Sequence, residues 1–173
     1  MTIEVLLAKN KKQIIARWSE MLFSTYASEG AKFFASKKDQ FANPVGHTFH
    51  RNLESIFPLL AEAEGVDSDE IRMLIDGIVR IRAVQGFAPS RAVIFVSELK
   101  GAVKDVLGPA VLEPQNSQAW EYLCERIDRA QAMAFDIYMD CREKLWELKA
   151  NHLYNRTHKL LERAQLIQDN RLG

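Results

Sequence analysis

The sequence predicts an all-α domain of about five to six helices, ending in a long C-terminal helix. Three observations predict it. Apolar residues recur at intervals of three and four along the chain. No segment alternates with a period of two, and no internal repeat is present. Gly and Pro gather at a few points of punctuation, Asn43-Pro44, Gln85-Gly86-Phe87-Ala88-Pro89 and Gly108-Pro109, then vanish from Ser117 until Gly173.

Thr2 to Tyr26 reads as an opening helix, with Ile3, Leu6, Leu7, Ile14, Trp18, Leu22 and Phe23 on its apolar stripe and Lys9, Lys11 and Lys12 toward water. Ala27 to Phe41 carries Phe33-Phe34 among Lys, Ser and Gly, and is expected to be a loop that pins one of the two rings into the core. Asn43 then supplies an N-cap and Pro44 a first helical position. The helix they open carries Val45, Phe49, Leu53, Ile56, Phe57 and Leu60, and Pro58 inside it predicts a kink or break near Ser55–Phe57. Asp67 or Ser68 caps the next helix. Its stripe reads Ile71, Leu74, Ile75, Ile78, Ile81 and Gln85, and it ends in the Gln85–Pro89 corner, where Gly86 suits a positive φ and Pro89 a helix start. Ser90 is expected to help cap the following helix, whose stripe is Ala92, Phe95, Val96, Leu99, Val103 and Val106 and whose end is Gly108-Pro109. A loop over Ala110 to Ser117 leads to the last helix.

That last segment offers more than fifty helix-compatible residues, about 75 Å if unbroken, against about 40 Å for the diameter of a globule of this length. Its first half sets Trp120, Leu123, Cys124, Ile127, Ala134, Tyr138, Cys141 and Leu145 on a wide apolar stripe. Beyond it, Trp146, Ala150, Leu153, Thr157, Leu160, Ala164 and Ile167 recur at spacings of four and three, a heptad seam with large residues at one core position and small ones at the other. The seam either packs on the chain's own body or joins two chains. The domain division that follows is 1–148 for the helical body and 149–173 for the extension that carries the seam.

Composition removes several functions. With 173 residues, 47% hydrophobic and 27% charged, the chain is an ordinary globular one of single-domain size. Lys plus Arg equals Asp plus Glu at 23 each, which argues against a nucleic-acid binder. No apolar run spans a membrane, and the amino terminus places its charges after the apolar patch, the reverse of a signal peptide. Cytoplasmic residence without membrane insertion is the expectation. Cys124 and Cys141, about 25 Å apart on one helix, cannot form an intrachain disulfide and are expected as core thiols.

No catalytic constellation is legible: there is no Gly-rich phosphate loop, no HExxH and no GxSxG. His47 and His50 lie three apart without neighbouring carboxylates and are read as ordinary histidines, not metal ligands; His152 and His158 read as solvated. The more informative polar residues flank the corner. Arg80, Arg82, Gln85 and Arg91 surround Gly86-Phe87, with Glu98 two turns into the second helix. Arg82 and Gln85 adjoin core positions, which is costly without partners. The cluster either fixes two helices together or forms a small pocket for an anion or polar signal, and Tyr138 is a possible neighbour from the last helix.

The run Arg80-Ile81-Arg82-Ala83-Val84-Gln85, followed by Gly86-Phe87-Ala88-Pro89-Ser90 and Ala92-Val93, resembles the RsbT co-antagonist N-terminal domain of the RsbRD type. The Asn43-Pro44-Val45 helix start, Phe135-Asp136-Ile137-Tyr138-Met139 and Cys141-Arg142-Glu143-Lys144-Leu145 are similar to that family too, so the likeness extends from about Trp18 to Leu148. It implies a globin-like or bundle-like sensor domain that dimerises and is commonly fused to an output domain such as STAS or a histidine kinase. This sequence ends at Gly173, so the expectation is a signal passed through a protein partner. The proximal haem ligand of a globin is a His on the helix before the corner, here Asp69 to Gln85, and that helix has none; no haem or other cofactor is expected. The leading reading is a non-enzymatic sensor or regulatory domain, a homodimer acting through protein contacts in stress or metabolic signalling. The alternative is an accessory or assembly protein for a redox complex.

Overall fold

The computed structural model describes residues 1–26, 30, 41–61 and 68–164. Six α-helices occur among them, with two short 3-10 turns and no strand. The all-α class with a long C-terminal helix therefore stands. The chain divides into two compact units, Met1–Tyr138 and Met139–Gly173.

Helix α1 spans Ile3–Ser24 and starts after Thr2, whose backbone is extended. Its buried face, Ile3, Leu7, Ile14, Ile15, Trp18, Leu22 and Phe23, is the stripe expected from the sequence except for Leu6, which is half-buried, and with Ile15 added. Helix α2 spans Pro44–Ala61, and Asn43 caps it, its Oδ1 accepting from the Gly46 amide at 2.9 Å. Of the kink or break expected near Ser55–Phe57, a break is not there: the helix continues through Pro58. That residue lies in the last described turn, where a missing amide costs the helix a single bond. Helix α3 spans Asp69–Val84, capped by Ser68, whose Oγ accepts from the Ile71 amide at 3.4 Å. α1 packs on α2, and α2 packs on α3, where Asn52 Nδ2 donates to the Leu74 carbonyl at 2.8 Å. Phe33-Phe34 and most of the loop expected to bear them lie outside the described residues, as does Asp67.

After the corner come α4, Pro89–Val93, and α5, Phe95–Leu107. The sequence reads these as one helix; a single residue, Ile94, interrupts them. The interruption follows from the hydrogen bonding around it. The Arg91 carbonyl accepts from Arg82 Nη2 at 2.6 Å, and the Ser97 amide donates to Gln131 Oε1 at 3.1 Å. Groups that would otherwise extend the helical ladder are used by side chains from other elements. Ser90 does not cap: Ala88 holds the N-cap position without a side-chain bond, and Pro89 follows at the first helical position. α5 packs across α1. The loop expected over Ala110 to Ser117 is mostly two 3-10 turns, Gly108–Leu112 and Pro114–Asn116. Asn116 is buried there and donates to the Ala110 carbonyl at 2.8 Å.

Helix α6 runs unbroken over Ser117–Arg163. Within the first unit, Trp120, Leu123, Ile127, Ala130, Ala134, Ile137 and Tyr138 are its buried residues. Lys100 to Asp128 at 2.6 Å and Arg126 to the carbonyls of Leu60 and Ala61 at 2.8 and 3.2 Å tie it to α5 and α2. Cys124 is half-buried and Cys141 buried, both as free thiols, and burial pushes the Cys124 thiol above its ordinary value. In the second unit the character changes: from Trp146 to Tyr154 every residue of the helix is exposed.

Candidate functional site

The corner is built by backbone conformation first. The α3 ladder closes with the Gln85 amide on the Ile81 carbonyl at 3.0 Å, and the chain reverses as the Gly86 and Phe87 amides bond to the carbonyls of Ala83 and Arg82, both at 3.1 Å. Gly86 holds φ at +82°, the left-handed region. No atom lies within 4 Å of a Cβ built there, so a side chain would meet strain and no clash. Gly86→Ala is therefore expected to lose about 1–2 kcal/mol in urea unfolding, and Gly86→Asn measurably less, because Asn tolerates this conformation.

Arg82 occupies the inside of this turn with 0% of its surface exposed, the only charged side chain buried to that degree among the described residues. Its Nη2 donates to the Arg91 carbonyl and to Thr25 Oγ1, at 2.6 and 3.0 Å. The guanidinium carbon lies 4.3 Å from the centre of the Phe87 ring and 5.3 Å from that of Tyr26. Two carbonyl or hydroxyl acceptors and two ring faces thus stand in for a carboxylate. Tyr26 packs edge-on to Phe87 at 5.0 Å, and its OH donates to Gln85 Oε1 at 2.9 Å. Arg91 is exposed, with Nη2 on the Thr25 carbonyl at 3.0 Å. Tyr138 closes the far side, its OH donating to the Phe87 carbonyl at 2.7 Å.

The electrostatics follow from burial. Desolvation pulls the Arg82 guanidinium down from its ordinary value, with Tyr26 and Glu98 opposing. It pushes the Tyr26 phenol up, which Arg82 opposes. It also pushes the Glu98 carboxyl up, and Arg82 draws that back down. Arg82 and Glu98 nevertheless form no ion pair among the described residues. Arg82 Nε and Nη1 and Glu98 Oε2 are all buried without a hydrogen-bond partner among the described residues. The corner therefore holds a desolvated cation, a carboxyl biased toward its neutral form and three unanswered polar atoms.

Of the four residues singled out from the sequence, the structure brings Arg82, Gln85 and Arg91 together. It leaves Arg80 out: that side chain is exposed and paired along its own helix with Asp76 at 2.6 Å. Gln85, placed on the apolar stripe by its spacing, is an exposed C-cap residue, and Arg82 takes the inward position. Thr25 and Tyr26 were missed. The signal available for them was a hydroxyl and an aromatic ring standing together where α1 stops.

The other candidates are placed as follows. His47 is exposed, while His50 is half-buried with its ring 5.0 Å from that of Phe23. His158 Nδ1 lies 3.3 Å from Glu162. No group of three His, Cys, Asp or Glu is assembled for a metal among the described residues, and none of their helices is long and apolar enough to cross a membrane. On the seam, Trp146, Leu153 and Leu160 are 62%, 62% and 56% exposed, and Ala150, Thr157 and Ala164, which alternate with them, are exposed too. Ile167 lies outside the described residues.

The comparison with protein families gives one match. The model described as RsbT co-antagonist protein rsbRD N-terminal domain matches residues 12–153, most of the chain, including the corner and the start of the seam. Neither the curated proteins nor the solved structures contain a match.

Proposed function

The chain belongs to the RsbT co-antagonist protein rsbRD N-terminal domain family, a family of signalling domains, and from that premise we propose that it is a non-enzymatic regulatory module that acts as a homodimer through the seam on α6. One observation carries the dimer. Trp146, Leu153 and Leu160 repeat every seven residues and are more than half exposed, each followed four residues on by a small one, Ala150, Thr157 or Ala164. A row of large apolar side chains in water along one helix is the surface a second helix covers. The small residues at the alternate core position let the two helices approach closely.

Charge selects the orientation. With Trp146, Leu153 and Leu160 at one core position, Lys149, Arg156 and Arg163 all fall in a single flanking column. An antiparallel pair sets those columns against each other, cation on cation. A parallel pair sets Lys149 beside Tyr154 and Arg156 beside Leu161 of the second helix. The parallel arrangement is therefore the one we propose.

The test is molar mass by size exclusion with light scattering. The wild type is expected at twice the chain mass, and Leu153→Glu with Leu160→Glu at the monomer mass with unchanged helical circular dichroism. A wild type that stays monomeric at millimolar concentration rejects the dimer. Cross-linking through Ala164→Cys reports orientation, because only a parallel, in-register pair brings the two positions together.

A further inference from the structure

A hollow of about 450 Å3 lies among α1, the end of α2 and the start of α6, within the unit Met1–Tyr138. Its size falls within the range of about 300–1,000 Å3 typical of small-molecule sites. Three alanines, one from each helix, are among its lining residues: Ala8, Ala61 and Ala119 each contribute no more than a methyl group. Leu7, Phe57 and Pro58 give it an apolar wall. On α1 the lining residues Glu4, Leu7, Ala8 and Lys11 are spaced as a single helix face, and on α6 so are Ala119, Tyr122 and Arg126.

Of the three charged groups that line this hollow, two are cationic. Lys11 is exposed and forms no ion pair among the described residues. Arg126 is half-buried, and desolvation lowers its guanidinium from the ordinary value with no acid opposing the shift. Its Nε and Nη2 donate to the uncharged carbonyls of Leu60 and Ala61, so its charge is held by the end of α2 without a carboxylate to balance it. Glu4, the one acid in the lining, stands two turns from Lys11 on α1, about 10 Å along the axis.

An apolar hollow with two uncompensated cations suits a ligand that is aliphatic at one end and anionic at the other. We propose that this hollow binds a monocarboxylate with a medium-length aliphatic chain, the chain against Leu7, Phe57 and Pro58 and the carboxylate toward Lys11 and Arg126. The site stands on residues remote in sequence from the helix seam, so its test is read separately from the oligomeric state.

Titration calorimetry on the full chain with octanoate, decanoate and dodecanoate measures it, with decanol and decylamine as controls. The expected result is saturable binding of one carboxylate per chain, with decanoate about tenfold tighter than decanol or decylamine. Ala119→Leu fills the hollow and is expected to abolish binding at unchanged circular dichroism. Lys11→Glu, an exposed change that the fold tolerates, is expected to weaken decanoate about tenfold while leaving decanol as it was. The proposal is overturned if decanol or decylamine binds as well as decanoate, if uptake rises without saturating, or if Ala119→Leu binds decanoate undiminished.

Discussion

Arg82→Ala is expected to destabilise the chain by about 3–5 kcal/mol, the combined effect of truncating a large buried side chain and stranding its acceptors. The guanidinium lies inside the corner against the rings of Phe87 and Tyr26, so its removal opens a cavity there. It also deprives the Arg91 carbonyl and Thr25 Oγ1 of their donor. For a chain of this size the thermal midpoint should fall by about 10–15 °C. Arg82→Lys keeps the charge but loses the planar group that lies against two rings while donating past them. It should recover only a minor part of the loss. The pH dependence distinguishes this account from simple loss of volume. Glu98 is half-buried with its carboxyl pushed up by desolvation and Arg82 drawing it down. Without Arg82 its ionisation in the folded chain becomes harder still, so the folded carboxyl titrates further above the unfolded one. Stability of the variant is then fully retained only below the unfolded value and falls as pH rises through the folded value. The difference from wild type should accordingly widen from acid toward neutral pH, and a difference independent of pH would remove Glu98 from the explanation.

Trp18→Ala is the second large effect expected, again about 3–5 kcal/mol. Trp18 is among the largest fully buried side chains and sits where α1 crosses α5, its ring 6.5 Å from that of Phe95. Its Nε1 donates to the Phe95 carbonyl at 2.5 Å. Trp18→Phe separates the two contributions, keeping most of the apolar volume while leaving that carbonyl without its donor, at about 1–3 kcal/mol. Urea unfolding followed by circular dichroism measures both variants. If Trp18→Phe proves as damaging as Trp18→Ala, the hydrogen bond outweighs the packing, contrary to this account.

The helices were legible because their boundaries carry their own chemistry. Asn43-Pro44, Ser68 and Gly108-Pro109 each act within one turn of the chain, so local sequence is enough to read them. Apolar spacing likewise gave the buried face of α1 nearly complete. Reading failed where a tertiary contact overrules local preference. Spacing put Ile81 and Gln85 inward on α3, whereas the buried position is Arg82. A charged residue enters the core only when remote groups receive it, and Thr25, Tyr26 and Arg91 lie 57, 56 and 9 residues away in sequence. The interruption at Ile94 is hidden for the same reason, since it depends on Arg82 and Gln131 reaching carbonyl and amide groups of another segment. The seam on α6 was plain as a pattern, and its exposure adds what the pattern lacked.

Trp18, Arg82 and Tyr138 come from three different helices, and each donates to a main-chain carbonyl between Phe87 and Phe95. A main-chain acceptor is the same whichever residue carries it. Homologous sequences should therefore drift at positions 87, 91 and 95 as far as ring packing and helix formation allow. The donors at 18, 82 and 138 have no such latitude. The memory of this fold would then be kept by the residues that reach toward the corner more than by those that form it.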